Sequence, residues 1–481
     1  MGWSAVPKKW EPLKIDGPLW LNDDSTAPNN AFLAMENCYL NDSKGLSRFW
    51  GLRKVCDLPT KDKVYLNEWR ADLMAVSGGQ VFRVDTNTFR PQRVSGVLVG
   101  GGNRVIFEQT DFDLVMAAGG TIVAFDGSET RVLSDDAPQA THVGYIDGYL
   151  IANENGSPRF RNSAPGNTRS WDPIDTATAD TKPDNITAIL CSPYREILMA
   201  GPKSMEQWER LRSSDTPFFR RYGSPVQLLQ PYALLFTDNA TVAFAHPGEI
   251  VRVSGQSSSS LSLSINKYLQ ALDDVSDAWF GGFPDTPLDF GGQNFALMQF
   301  PNATNRYGTK GVTFAYDYRK KRFTELFGHD ERTGQPVRWP GWSHWRMGDK
   351  TAGRTFVGGE GCIYELVDDS WWHDGRPAVM RLRTSHLMAG EMRIDDLRLI
   401  LKRGVGKKNE RRPIIRLRAQ RDNRTYTRWV ERDLGDDAKA DLTLTFDGMG
   451  TATAWQFEVE VSADVDVVIR SIEMAATRMG F

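Results

Sequence analysis

The side chains of this sequence that could bind a metal, cycle a disulfide or attack a substrate are few and scattered. Cys38, Cys56, Cys191 and Cys362 lie too far apart for the paired spacing of a zinc site or redox couple, and they read as buried thiols in a reducing compartment. The histidines, at 142, 246, 329, 344, 373 and 386, include no two at helical metal-ligand spacing. A glycosidase needs convergent carboxylates, and a sialidase-type propeller also carries Ser-x-Asp-x-Gly-x-x-Trp turns; no copy of that turn occurs. Gly-x-Ser-x-Gly, a Walker-type loop, His-Glu-x-x-His and an EF-hand loop are absent as well. Asp464-x-Asp466 is too short a match to define a cation site. The expectation is a protein that is not an enzyme, with no catalytic, cofactor or metal residues, that works through surfaces.

Those surfaces must be carried by strands. The chain has 481 residues, 40% hydrophobic and 25% charged, with a net charge of −3, which describes a globular chain of about two to three domains. Fifteen Trp and 43 Gly favour strands, tight turns and aromatic contact surfaces over helical bundles. Residues 1–10 hold no apolar run of signal-peptide length, and no window reaches the roughly 18 apolar residues of a membrane span, so no membrane insertion is expected.

A unit of apolar strand, Gly-Gly or Asx turn and second strand ending in Asp recurs along the middle of the chain. Leu73 to Gly79 leads into Val81 to Asp85, Leu114 to Gly120 into Ile122 to Asp126, and Arg354 to Gly359 into Ile363 to Asp368. Weaker copies begin near Tyr149, Ile197, Leu234 and Leu297. About seven such units between positions 60 and 370 predict an all-β chain whose central part, 51–374, is a β-propeller of about six or seven blades. A large β-sandwich is the alternative. One segment departs from the pattern: Leu269, Leu272 and Val275 fall at helical spacing after Ile265, with Ser264 placed as N-cap, and Ser257 to Ser260 reads as a solvated loop.

Residues 1–50 have no sustained period and carry Trp3, Trp10 and Trp20, which predicts an extended N-terminal arm lying on its own body or on a neighbouring subunit. Beyond 375, alternating segments from Val379 to Ile472 predict a C-terminal β-sandwich over 375–481 that contributes to ring assembly. Charge is uneven there. Between Arg398 and Arg432 thirteen Lys or Arg face three acids, so the rest of the chain is net −13. Lys402, Arg403, Lys407, Lys408, Arg411 and Arg412 are the candidate docking residues, with a solvated face or a DNA contact as the alternatives. Trp339, Trp342 and Trp345 lie in what reads as a long loop, Phe327 to Gly353, either as exposed anchors, like Trp10 and Trp20, or as wedges between blades.

Several stretches carry a resemblance. Asn37 to Leu52, with Gly45-Leu46-Ser47-Arg48 and Gly51, Arg195 to Gly201 with Ser204 to Trp208, Phe236 to Asn239 with Ile250 to Ser254, and the closing Trp455 to Val461 and Val465 to Ile472 are similar to the tail-hub or nozzle proteins of short-tailed (podovirus) phages, the packaged-DNA stabilisation family. The resemblance implies a structural protein of the virion tail, made in the host bacterial cytoplasm. It implies a hexameric head-tail connector that closes the head after packaging. The ring would join the portal and adaptor to a tail spike or fibre and a needle or plug, and conduct genomic DNA on ejection without sequence-specific binding. The rival expectation is a carbohydrate-binding or carbohydrate-cleaving propeller acting as a receptor-binding protein.

Overall fold

Apolar strands joined by tight turns build antiparallel four-stranded units. In the computed structural model, which describes residues 9–479 apart from 211–216, 238, 282–287, 291–292, 349–352, 407–411 and 436–438, these units form a β-propeller. Six of them are sheets in their own right, with innermost strands Tyr65–Trp69, Ile106–Gln109, Val143–Ile146, Ala188–Cys191, Leu234–Thr237 and Ser343–Arg346. A further sector, between the last two, is built by Trp279–Gly281, Gln293–Thr304, Lys310–Asp317 and Arg322–Glu325, and its sheet runs on into the C-terminal one. The expected six or seven blades thus take the form of six free-standing sheets and one that is shared.

Apolar clusters lie between neighbouring sheets, because strands buried on both faces must pack against a blade on either side. Leu73 and Phe82 pack with Phe356 and Ile363, Met74 with Leu114 and Met116, Val115 and Ala124 with Leu150, Phe160 with Ile197 and Trp208, and Ala188 and Met205 with Ala243 and Val251. Phe244 meets Phe280 and Phe300, and Phe295 and Leu297 meet Trp339 and Val357, which completes the circle. Gly51–Asp57 pairs with Cys362–Val367 as the fourth strand of the last blade, so the start of the propeller is tied to its end.

The repeated glycines serve two purposes. Gly78 and Gly79 take φ of +56° and +74°, as the hairpin between Asp72–Ser77 and Gln80–Val84 requires. Gly358 has no positive φ; a Cβ there would strike the Val64 carbonyl, so its role is close approach of the next blade. Two local expectations are corrected. Ser257–Ser260 is the outermost strand of its blade, its side chains mostly exposed, held by backbone pairing to Glu249–Ser254. The helix is a single turn, Asn266–Gln270, capped by the backbone at Ile265; Ser264 gives its carbonyl to the Leu21 amide and caps nothing.

The C-terminal region is built on three long strands, Leu387–Gly406, Lys439–Val461 and Val465–Arg478. Lys439–Val461 changes partner along its length: from Lys439 to Trp455 it pairs with Leu387–Gly406, and from Trp455 to Val461 with Ile414–Arg421 and, over its last residues, Met380–Thr384. Leu397, Leu399 and Leu401 share one buried cluster with Ile415, Leu417 and Ala419 although their strands do not pair, so the sheet folds over as two layers on one core. The N-terminal segment is extended, and its strands are woven into this sheet. Trp10–Leu13 and Leu46–Arg48 line Val465–Arg478, and Phe32–Glu36 lies between Met380–Thr384 and Arg322–Glu325. Pairing therefore crosses the sequence positions near 50 and near 375.

Where these parts meet, a buried ionic chain replaces apolar packing. Arg306 pairs with Glu36 (2.6 Å) and Glu325; Arg381 pairs with Glu36 (3.0 Å), Glu460 (2.6 Å) and Tyr307 (2.6 Å). Arg416 and Arg418 extend it to Glu460 and Glu458. Glu36 and Glu325 are fully buried. Burial pushes the Glu325 carboxyl up, against the pull of Arg306. For Arg381, burial favours the neutral form, and Glu36 and Glu460 more than reverse that. Glu36→Ala would leave two buried guanidinium groups without their shared carboxylate. Urea denaturation should then show a loss of about 3–5 kcal/mol, whereas a loss below about 1 kcal/mol, the usual range for a surface pair, would show that the ionic chain contributes little to the junction.

Candidate functional site

The inner strands of a propeller face an axis, and their side chains decide what the axis holds. Here they enclose a cavity of about 750 Å³ lined from all six free-standing blades and from Trp279–Gly281. Tyr65, Asn67, Glu108, Tyr145, Leu234, Trp279 and Trp345 are among the lining residues. A second cavity of about 580 Å³, lined by Lys63, Asn103, Asp277 and Trp342, shares Tyr65, Arg104, Val105 and Tyr232 with the first. The two cavities adjoin at those shared residues.

Arg104 lines both cavities. Its guanidinium lies 3.9 Å from the Trp279 ring centroid and 5.0 Å from that of Tyr65, and it donates to the Trp342 carbonyl. Burial pulls it down to about 10, with Tyr65, Tyr232 and the more distant Asp277 opposing. His142 stacks on Tyr232 at 5.0 Å, and burial lowers it to about 4, so it is neutral at physiological pH. Glu108 faces the cavity; it remains partly water-accessible, but the surrounding protein raises its carboxyl to about 8. Among the described residues it is the one carboxyl in the lining of the larger cavity, whereas glycoside hydrolysis takes a pair. The four cysteines are free thiols, and no group of three or more His, Cys, Asp or Glu in metal-binding geometry occurs among the described residues.

The residues singled out in the sequence lie elsewhere. The segment Phe327 to Gly353 is not one long loop: it forms Phe327–His329, Pro336–Arg338 and Ser343–Arg346. Trp339 is 2% exposed between two blades and Trp342 is 7% exposed, with Lys63 and Arg338 over its ring at 4.3 and 3.8 Å. Trp345 is half-buried in an inner strand and donates to Glu68 at 3.3 Å. As exposed anchors Trp339 and Trp342 do not stand, because the space between blades is where large rings find apolar cover. Trp10 lies under the Arg398 guanidinium (4.1 Å), and Trp20 donates to the Asp23 carbonyl (3.0 Å), both half-buried. Trp3 lies outside the described residues.

The basic stretch is less basic once folded. Arg398, Arg416 and Arg418 pair with Glu473, Glu460 and Glu458, and Arg432 reaches Asp447 at 3.7 Å. The register sets Arg416 opposite Glu460 and Arg418 opposite Glu458 across two strands, partners a local count of charge cannot see. Lys402 and Arg412 are exposed, and Arg403 is 5% exposed. Lys407, Lys408 and Arg411 lie outside the described residues. The axial cluster was missed in the sequence because its members come from separate blades. The one local sign is an arginine and an acid, Arg104 and Glu108, bracketing the apolar run Val105-Ile106-Phe107.

The fold is a strand-built β-propeller joined to a folded-over C-terminal sheet. The family model described as bacteriophage P22 Gp10, beta-propeller (Phage_stabilise), matches residues 24–278, more than half of the sequence, and the chain belongs to this phage structural family. No curated protein matches. Among solved structures, the extracellular domain assigned to a hybrid two component system of B. thetaiotaomicron is 10% identical, with a TM-score of 0.42 over 66% of this chain and 40% of that one. PorZ of Porphyromonas gingivalis is 11% identical (TM-score 0.41; 80% of this chain, 48% of that one). The Neurospora crassa Pan2 WD40 domain is 8% identical (TM-score 0.41; 69% and 98%). The chain thus spans less than half the length of the first two, and at these scores no argument is built on any of them.

The Glu108 carboxyl gives the cavity a pH signature. Its folded pKa is raised, so the folded state holds a proton that the unfolded chain loses near 4.5; stability falls as pH rises from about 4.5 to about 8 and is level above that. Glu108→Gln removes this dependence. The variant should match the wild type near pH 4 and exceed it near pH 9 by roughly 2–4 kcal/mol in denaturant titrations; equal stability across that range would show that Glu108 is solvated as an ordinary carboxylate.

Proposed function

We propose that this phage structural protein is a tail hub: a homo-hexamer that closes the head after DNA packaging, joins a portal or adaptor ring to spikes or fibres and to a needle or plug, and conducts DNA on ejection. Membership of the family supports the coarse assignment, and the size of the cavities at the propeller axis is the observation that carries the finer one. Side chains from every blade line the axis and leave cavities of about 750 and 580 Å³, of small-molecule rather than duplex size. A conduit must therefore run between subunits, and cyclic symmetry with heterologous interfaces supplies one.

In this reading the folded-over sheet and the N-terminal strands form the ring, and the propeller stands away from it. The lumen must not hold DNA tightly or ejection would stall, so the exposed cations Lys402 and Arg412 are assigned to protein contacts. Their partners are acidic surfaces of a neighbouring subunit or of the adaptor.

Light scattering and negative-stain imaging, with and without the adaptor, test this directly. Wild type should form six-fold rings. Lys402→Glu with Arg412→Glu should cut ring formation at least tenfold while leaving monomer thermal unfolding unchanged. Normal rings from the double variant would refute the docking role of these residues, and a chain that stays monomeric with its adaptor present would refute the hub.

A further inference from the structure

A buried imidazole is normally held by a hydrogen bond at one ring nitrogen or both. His329 and His373 have none: all four of their ring nitrogens are buried without a partner among the described residues, on side chains 7% and 6% exposed. They come from two short strands near the closure of the propeller. His329 ends Phe327–His329, which pairs with Pro336–Arg338, and His373 lies in Trp372–His373, beside Gly51–Asp57 and Arg376–Pro377. This is also where the last blade meets the C-terminal sheet: the Trp371 amide donates to Asp464 at 2.6 Å and the Trp372 indole to the Ser462 carbonyl at 2.7 Å. The charges acting on His329 are Arg381, Glu36 and Glu460; those acting on His373 are Arg48 and, once protonated, His329. Both carboxylates already serve arginines, Glu36 serving Arg306 and Arg381, and Glu460 serving Arg381 and Arg416. Arg48 is tied to the Ala378, Ala463 and Val465 carbonyls, and the Phe327 carbonyl near His373 accepts from Asn37 at 3.1 Å.

We propose that His329 and His373 form an acid-sensitive latch: neutral, they let the last blade seat against the C-terminal sheet, and protonated, they loosen that joint. A protonated imidazole has two N–H donors to satisfy, and here it would also stand beside the fixed guanidinium groups of Arg48 and Arg381. Burial is the main cause that lowers both groups from 6.5, His329 to about 4 and His373 to about 3, and the arginines add to it. The unfolded chain therefore takes up protons first, and the contribution of the latch to stability is lost as pH falls from about 6.5 towards 4. Glu460, held below 4.5 by its arginines, loses its contribution only at lower pH. Glu325 and Glu108, raised by burial, act in the opposite sense over the same range. The signature of the latch is thus the difference between wild type and variants that cannot titrate.

Denaturant titrations of the full chain at about pH 7.5 and about pH 5 supply that difference. Over this step the folding equilibrium of wild type should drop about thirtyfold relative to that of His329→Leu, and by a similar factor relative to His373→Leu. Exchange of the histidine Cε1 hydrogens with deuterium, read by mass spectrometry on the folded wild type, gives a second readout if the variants do not fold. In it, neither imidazole should titrate between about pH 8 and about pH 5.5. Titration of both imidazoles near the ordinary value of about 6.5, or a ratio of wild type to variant that does not change between the two pH values, overturns the proposal.

Discussion

The structure depends on four buried carboxylates finding four arginines at one place. Glu36 comes from the N-terminal strands, Arg306 and Glu325 from the shared propeller sector, and Arg381, Arg416, Arg418, Glu458 and Glu460 from the C-terminal sheet. Of these charges the N-terminal strand carries one unbalanced acid and the C-terminal sheet one unbalanced arginine, while Arg306 and Glu325 pair within the propeller sector. Each carboxylate would be costly to bury alone, so the N-terminal strands, the propeller sector and the C-terminal sheet are favourable only when docked together. That requirement explains why Phe32–Glu36 sits between the two bodies and why one propeller sheet is continuous with the C-terminal one. It also fixes geometry, because bidentate and shared pairs tolerate little displacement.

The propeller depends on a different rule. Its blades have no free faces, so every inner strand is held at a set distance from the axis by apolar clusters on both sides. Polar, aromatic and aliphatic side chains of the inner strands line the axis, where Arg104 stands among rings rather than opposite an acid and two cavities adjoin.

Much of this was legible in the sequence wherever the signal is local. The strand–turn–strand copies at Leu73, Leu114 and Arg354 mark real blades, and the weaker copies at Tyr149, Ile197, Leu234 and Leu297 mark the others. Non-local facts were not legible. Ser257–Ser260 has the composition of a loop, yet a blade needs an outer strand and backbone pairing supplies its stability. Trp339 and Trp342 could be read as exposed anchors or as wedges between blades, because Pro340 and Gly341 interrupt any strand pattern, and burial of both rings removes the first reading. The ten-charge excess between Arg398 and Arg432 shrank because its partners Glu458, Glu460 and Glu473 lie beyond the counted window. The axial cluster could not be read at all, since Tyr65, Arg104, Tyr232 and Trp279 meet only when the ring closes.

The central claim is that propeller and C-terminal sheet are one cooperative unit joined by the buried ionic chain. Differential scanning calorimetry of the intact protein tests it most directly. A single transition whose calorimetric and van't Hoff enthalpies agree is the predicted result. Two separated transitions, one for each body, would contradict it.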